Sequence, residues 1–343
     1  MSRVQLKSDG TILLGGHVSC DGFAYGVPFR VQTHIHQDHM VNFGTSKANQ
    51  TILVSPPTCD LLCALYNADL PHRTHTNLAR IGYGTAFCSN GDSVRLLPSN
   101  HMLGSAQVEV TCSDGYRIGY SSDFFWPVDE VIQVDELIVD ATYGDPLSVR
   151  RYDQQDVDEK LIALAHSNLK AGKPTAVIGH NGRLQYALHI IGNAVQVPLI
   201  CSPKAYPLVT VYAQHGYPMP SVLESKSDLA IEVLRERLPC LAFVTLGERR
   251  HLPWVDRLCK ISLSAYMQNS VDPVMHYDNG DCCVALTDHA DFQGTLDYVR
   301  ATEAKTVWTD PRSGNAEALA LAISESLGLE ARMAHRLESL AWG

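Results

Sequence analysis

The strongest constraint on the fold of this chain is a dense run of metal-ligand side chains at 34–39, His-Ile-His-Gln-Asp-His, directly after an apolar stretch that predicts a strand. With 15 histidines and 37 acidic residues in 343, a match to H-x-H-x-D-H is expected by chance in roughly one such chain in 300. A tight loop at the strand end would bring these donors together. They suit zinc, with His34 and His36 for one ion and Asp38 and His39 for a second. The alternative is a polar loop with solvated histidines.

Composition restricts the class of protein. Hydrophobic residues make up 45% and charged residues 19% of the chain, which excludes a disordered or fibrous protein. We find no apolar run of the roughly 18 residues that a membrane span needs, and no export signal at the start. We therefore expect a cytoplasmic protein without a membrane partner and read most of the ten cysteines as buried thiols. The net charge of −10 argues against a broadly basic surface but not against a local basic channel.

Short apolar runs alternate with helical patterns, which predicts an α/β fold. The first 145 residues or so are rich in predicted strands, and helical spacing begins near residue 154, so a second domain is expected to start near Arg150. The length alone favours about two domains. The predicted strands include 11–14, 29–33, 51–54, 93–97, 107–111, 117–120, 136–139, 283–286 and 305–309, with a helix at 316–327.

Two further donors follow predicted strands. His101 lies in Asn-His-Met-Leu-Gly-Ser-Ala at 100–106, and Asp123 in Ser-Ser-Asp-Phe at 121–124. Taken alone, His101 would be an ordinary structural or surface histidine, and Asp123 a turn or capping residue. Their order after the histidine-rich loop makes them candidate ligands, and Asp123 could bridge two metals.

Together these motifs resemble the metallo-β-lactamase superfamily, and within it the β-CASP nucleases. Two more segments carry the second resemblance: Asp-Ala-Thr-Tyr-Gly at 140–144 and Thr-Asp-His-Ala at 287–290. The resemblance implies an αββα sandwich with an inserted α/β domain. It places the core at 1–150 and 282–343, and the insertion at 151–281.

The same resemblance implies a binuclear site of two zinc ions, with manganese as an alternative. Asp38, Asp140 and His289 are the implied catalytic residues, with His289 as general acid and Asp140 positioning it. Asp21, in Cys-Asp-Gly at 20–22, is similar to the aspartate that supports the histidine loop without touching metal. The implied ligands are His34, His36, Asp38, His39, His101 and Asp123.

Two segments match the family less closely. Arg183 lies in Gly-Arg-Leu-Gln at 182–185, at a predicted helix start where a phosphate could bind; the alternative is a simple strand-to-helix turn. Asp310 stands where RNA-cleaving relatives carry a histidine ligand and DNA-acting relatives commonly carry valine. It is a candidate ligand or a turn residue, and Arg312 is a candidate phosphate contact.

These observations favour a zinc-dependent nuclease whose partner is a nucleic acid substrate. The departure at Asp310 and the short insertion favour DNA-end processing by an exonuclease, and a β-CASP ribonuclease is the alternative. A small-molecule metallo-hydrolase and a non-catalytic binding subunit are less favoured. A protein partner or a homo-oligomer stays open, as do cleavage polarity and the resident metal.

Overall fold

The computed structural model describes residues 3–67, 77–265, 271–312 and 314–337. The chain divides into two units, one of residues 1–149 with 289–343 and one of residues 150–288. Every helix within the described ranges is too short or too polar to cross a membrane.

The elements of both units are numbered here in chain order. The strands are β1 (Val4–Lys7), β2 (Ile12–Leu14), β3 (Val18–Cys20), β4 (Phe29–Gln32), β5 (Thr51–Val54), β6 (Leu78–Arg80), β7 (Ala86–Ser89), β8 (Asp92–Pro98), β9 (Ala106–Thr111), β10 (Arg117–Tyr120), β11 (Glu136–Val139), β12 (Thr175–Gly179), β13 (Leu199–Cys201), β14 (Leu223–Glu224), β15 (Leu241–Thr245), β16 (Cys259–Ser264), β17 (Val274–His276), β18 (Cys282–Ala285), β19 (Thr306–Thr309), β20 (Glu330–Met333) and β21 (Arg336–Leu337). The α-helices are α1 (Phe43–Asn49), α2 (Pro56–Tyr66), α3 (Gln154–Lys170), α4 (Arg183–Gly192), α5 (Ala205–Gln214), α6 (Asp228–Arg235), α7 (Phe292–Ala301) and α8 (Ala316–Leu327).

The first unit holds two sheets that pack face to face. Their strand orders are β21-β1-β2-β3-β4-β5-β6 and β20-β19-β11-β10-β9-β8-β7. Alternate side chains of both sheets, such as Val31 in β4 and Val108 in β9, meet in one apolar layer, as the two-residue period of a strand requires. The outer face of the second sheet packs on α7 and α8, and α1 and α2 pack on β5 and β6. The result is the αββα sandwich that the resemblance implies.

Strand register in the second sheet brings three acidic residues to one edge. Strands β10, β11 and β19 are parallel neighbours, with Tyr120 opposite Ile138 and Val139 opposite Thr309. The chain leaves these strands into Asp123, Asp140 and Asp310, respectively, so the carboxyl ends of the strands collect the candidate side chains.

The second unit is a sheet in the order β14-β13-β15-β12-β16-β18-β17. All neighbours are parallel except β17 with β18. One face packs on α3, α4 and α5 and the other on α6. Strands buried on both faces explain the continuous apolar runs of this part of the sequence.

The second unit extends further than the sequence predicts. Cys282–Ala285, which we expected to begin the return to the core, pairs in parallel with β16 and belongs to the sheet of the second unit. An apolar strand can pack in a sheet of either unit, so the sequence of this strand does not show to which unit it belongs. The mixed α/β class is confirmed.

Candidate metal centre

The histidine-rich loop starts where β4 ends and closes in a short 3-10 helix at Gln37–His39. His36 Nδ1 lies 3.0 Å from His101 Nε2, and His34 Nε2 lies 3.6 Å from Asp123 Oδ2. One donor atom each from His34, His36, His101 and Asp123 lies within 4.8 Å of the others. Three imidazoles and a carboxylate at this spacing form a candidate metal-binding group.

One atom of this group argues directly for a metal. His34 is fully buried, and its Nε2 has no hydrogen-bond partner among the residues that the structure describes. Burial lowers the pKa of His34 well below its ordinary value, with help from neighbouring imidazoles, so the ring is neutral and can offer a lone pair. A buried polar atom without a partner is costly, and coordination of a divalent ion would satisfy it.

A second group of donors shares Asp123. His289 Nδ1 lies 3.0 Å from Asp140 Oδ2, and His289 Nε2 lies 3.8 Å from Asp123 Oδ2. Donor atoms of Asp123, Asp140 and His289 also lie within 4.8 Å of one another. On the other side of the shared carboxylate, His39 Nε2 lies 3.3 Å from Asp123 Oδ1.

Electrostatics keep Asp123 ionised. Burial alone would raise its pKa, but the imidazoles around it, His39 and His289 foremost, hold the pKa well below the ordinary value of an aspartate. Because both carboxylate oxygens face imidazole nitrogens, Asp123 is placed to bridge two cations.

Asp21 contacts the histidine-rich loop from the side away from the other donors. Its carboxylate lies 2.7 Å from His39 Nδ1 and accepts hydrogen bonds from the backbone and hydroxyl of Thr33, at 2.9 and 2.8 Å. Burial alone would lower the pKa of His39, yet the charges of Asp123 and Asp21 raise it well above its ordinary value. A carboxylate on the far nitrogen fixes the ring orientation and tautomer of a ligand histidine.

Sequence reasoning missed a pair of side chains beneath the loop. Arg30 is fully buried and donates to the carbonyl oxygens of His39 and Val41, at 3.0 and 2.8 Å. Gln32 donates to the carbonyl oxygens of His34 and His39, at 2.7 and 3.0 Å, and accepts from Arg30 at 2.6 Å. The two residues, two apart on β4, therefore share a face and hold the backbone that carries the ligands.

The loops that carry His101 and Asp123 are also held tightly. Each ligand follows a residue in the left-handed region, Asn100 with φ 56° and Ser122 with φ 53°. For serine this conformation is strained, and Ser122 is held there while its hydroxyl donates to Thr33 at 2.8 Å. Strain of this kind persists where the surroundings impose it.

Asp38 is the predicted catalytic residue that lies furthest into solvent. Its side chain is 78% exposed, and Oδ2 lies 3.7 Å from His39 Nε2. The structure therefore places it beside the centre, at the rim, and outside every donor group found in the described ranges.

Asp310 and Arg312 are engaged with each other. The Arg312 backbone amide donates to Asp310 Oδ1 at 2.9 Å and its Nε to Oδ2 at 2.7 Å. Arg312 also contacts the Tyr120 hydroxyl. No donor group among the described residues includes Asp310, and its carboxylate lies in this buried ion pair.

Arg183 lies at the start of α4, where the sequence places it. Its Nε lies 3.1 Å from Asp288 Oδ1, and both side chains are largely buried. The predicted phosphate contact is thus an ion pair in this structure.

Comparison with known proteins finds related sequences and similar solved structures. No protein-family model matches the chain. A probable DNA ligase of Opitutus terrae is 25% identical over 290 residues, which are 81% of this chain and 26% of the ligase. This chain therefore spans about a quarter of that relative.

A solved structure shares the fold of this chain. A protein of unknown function from Enterococcus faecalis V583 matches with a TM-score of 0.59 at 13% identity, over 90% of this chain and 78% of that one. Metallo-β-lactamase proteins from Cronobacter sakazakii and Bacillus subtilis match 40% and 39% of this chain, and 74% and 63% of their own, at TM-scores of 0.30 and 0.32 and 14% identity.

One curated relative matches at higher identity. The uncharacterized protein in the lig 3′ region of Acidianus ambivalens is 31% identical over 139 residues, which are 40% of this chain and 98% of that protein. Nearly the whole of that relative is thus contained in this sequence. The chain belongs to the same family as the Acidianus ambivalens protein.

Proposed function

We propose that this protein is a metal-dependent nuclease that hydrolyses phosphodiester bonds in DNA, with a metallo-β-lactamase core and a β-CASP insertion. The observation that carries the proposal is the placement of Asp123, whose Oδ2 lies 3.6 Å from Nε2 of both His34 and His101 while its Oδ1 lies 3.3 Å from His39 Nε2. Two cations that share one carboxylate are the usual arrangement for in-line displacement at phosphorus.

The donor chemistry fits zinc, with manganese as the alternative, because imidazole and carboxylate suit both. His34, His36 and His101 would hold one ion. Asp38 and His39 would hold the second, and Asp123 would bridge the two. When bound, the ions supply Lewis acidity that neutralises phosphoryl oxygens and lowers the pKa of water.

His289 is the proton donor in this proposal. Its Nδ1 lies 3.0 Å from Asp140 Oδ2, so Asp140 accepts a hydrogen bond from Nδ1–H and stabilises the imidazolium. The Nε2 proton is left on the side of Asp123, where it can pass to the leaving oxygen. Thr142 donates to Asp140 through its backbone amide and hydroxyl, at 2.9 and 2.8 Å, and holds that carboxylate in place.

The description of one related protein favours DNA over RNA as the substrate. A segment similar to 81% of this chain lies in a protein described as a probable DNA ligase. A nuclease that trims DNA ends prepares the termini that ligation requires, so exonucleolytic end processing is the activity we favour.

The proposal is tested with matched 5′- and 3′-labelled single strands of DNA and RNA, incubated with the metal-loaded protein. We expect metal-dependent shortening of DNA from one end, and none with a His34→Ala, His36→Ala variant. Cleavage of RNA alone would replace DNA with RNA as the substrate. No cleavage of either polymer by a metal-replete protein would overturn the nuclease proposal.

A further inference from the structure

A row of basic side chains follows the carboxyl ends of three adjacent strands in the second unit. Strands β14, β13 and β15 are neighbours and run parallel. Lys226 comes after β14, Lys204 after β13, and Arg249 and Arg250 after β15, and all four are exposed. We call these four residues the basic edge. Their chain positions are unrelated, and the sheet brings them together.

A buried glutamate ties two of these loops together. Glu248 accepts a hydrogen bond from the Lys204 backbone amide at 3.0 Å and from the hydroxyls of Ser202 and Thr245 at 2.5 and 2.8 Å. It directly precedes Arg249. Its carboxylate is buried and orders the loops through these hydrogen bonds, and within the described residues it forms no salt bridge with the exposed cations.

The third loop is joined to the same edge through the backbone. The Ser225 amide donates to the carbonyl oxygen of Cys201 at 2.9 Å, so Lys226 lies one strand from the loop of Lys204, and strands are about 4.8 Å apart. Nearby Glu224 is half-buried and Asp228 is exposed. The exposed cations therefore outnumber the exposed acid.

The four cations form no ion pair within the described part of the protein, where no carboxylate oxygen lies within 4.0 Å of Lys204, Lys226, Arg249 or Arg250. Other basic side chains are neutralised in ion pairs, such as Arg3 with Asp114 and Arg95 with Glu109. Among the described residues, Lys170 and Lys173 elsewhere in the second unit lack such pairs too. The basic edge differs from them because its four cations follow adjacent strands, and in a chain with a net charge of −10 this grouping suits an extended external anion.

We propose that the basic edge binds the phosphate backbone of single-stranded DNA. This rests on the proposed nuclease function and adds a contact surface within the second unit. Open α/β sheets bind ligands at the carboxyl ends of their strands. Exposed Lys and Arg supply sequence-independent, salt-dependent contacts to phosphates. The buried Glu248 holds the loops in place before the strand arrives.

The test measures binding to a fluorescein-labelled, nuclease-resistant phosphorothioate oligodeoxythymidylate by anisotropy, over a series of salt concentrations. The metal-loaded protein is compared with a Lys204→Ala, Arg249→Ala, Arg250→Ala variant. Each lost contact lowers the slope of log K against log salt by about 0.7 for single strands. We therefore expect the slope to fall by about 2 and binding at low salt to weaken at least tenfold.

The matched control removes the same charge from elsewhere in the second unit, by Lys170→Ala, Lys173→Ala and Arg257→Ala. Lys173 and Arg257 precede β12 and β16, at the amino ends of the strands, and all three residues are exposed. The control variant should keep most of the salt slope. Hydrolysis of bis(p-nitrophenyl) phosphate should be unchanged in both variants, because that small diester needs no extended backbone contact.

Equal loss of binding in the two triple variants would overturn the proposal that the basic edge binds DNA, because it would show only an effect of net charge. An unchanged slope in the basic-edge variant would also overturn it. If the wild type fails to hydrolyse bis(p-nitrophenyl) phosphate, the nuclease proposal fails instead, and the comparison of the two variants still decides whether the edge binds DNA.

Discussion

His39 is held between two carboxylates, with Nδ1 at 2.7 Å from Asp21 and Nε2 at 3.3 Å from Asp123. The inner carboxylate is fully buried and is also bound by Thr33. The outer one faces the remaining donors. Both carboxylates favour the protonated ring. A metal ion would displace the Nε2 proton, and Asp21 would then hold the neutral ring with its Nε2 lone pair directed at the ion.

Removal of the inner carboxylate should weaken metal binding. In Asp21→Asn, the His39 ring loses its orienting charge, and we expect metal affinity to fall by about 10- to 100-fold, measured by competition with a chromogenic chelator. Asp92→Asn, beside the half-exposed His17, is the control and should bind metal as the wild type does. Unchanged affinity in Asp21→Asn would remove Asp21 from the metal centre.

The Gln32 amide should contribute measurably to stability. Gln32→Leu leaves the carbonyl oxygens of His34 and His39 without one donor each and deprives Arg30 of an acceptor. We expect the free energy of unfolding to fall by about 3 kcal/mol, measured in urea. Gln5→Leu, an exposed glutamine on β1 of the same sheet, should change it by about 0.5 kcal/mol or less. Equal effects would mean that the contacts beneath the loop are dispensable.

His289 should act in catalysis without being needed for metal binding. His289→Ala is expected to reduce turnover by about 10² or more, with the metal content per chain unchanged by mass spectrometry under native conditions. Asp140→Asn should lower turnover in the same direction, because it removes the charge that stabilises the imidazolium. A near-native rate in His289→Ala would exclude it as the general acid.

Asp310 should matter for stability rather than for metal binding. In Asp310→Asn, the largely buried Arg312 loses its charge partner. We expect the free energy of unfolding to fall by about 3 kcal/mol. The metal stoichiometry should stay the same. Asp114→Asn, which breaks the solvent-exposed pair with Arg3, should leave the stability nearly unchanged. A lower metal count in Asp310→Asn would restore Asp310 as a ligand.

The donors could be predicted from the sequence because they sit in short runs after apolar strands. His34, His36, His101 and Asp123 come together as predicted from their order. The parallel register of β10, β11 and β19 explains why Asp123 and Asp140 share an edge.

Other features depend on tertiary contacts that no local pattern encodes. Arg30 and Gln32 look like the polar face of an ordinary strand, and only the folded loop shows that they bind its carbonyl oxygens. Asp310 has a side chain that can bind metal, yet its carboxylate accepts a hydrogen bond from Arg312, two positions further along the chain. Similarly, an apolar strand at Cys282–Ala285 fits either sheet until its pairing with β16 is known.

In the proposed mechanism, two metal ions that share Asp123 activate a phosphodiester for hydrolysis. The most direct measurement follows metal content and hydrolysis of end-labelled single-stranded DNA together, in the wild type and in Asp123→Asn. We predict two ions per chain with metal-dependent cleavage in the wild type, and loss of metal together with at least a 10²-fold slower reaction in the variant. Full metal content and undiminished cleavage in Asp123→Asn would contradict this two-metal mechanism.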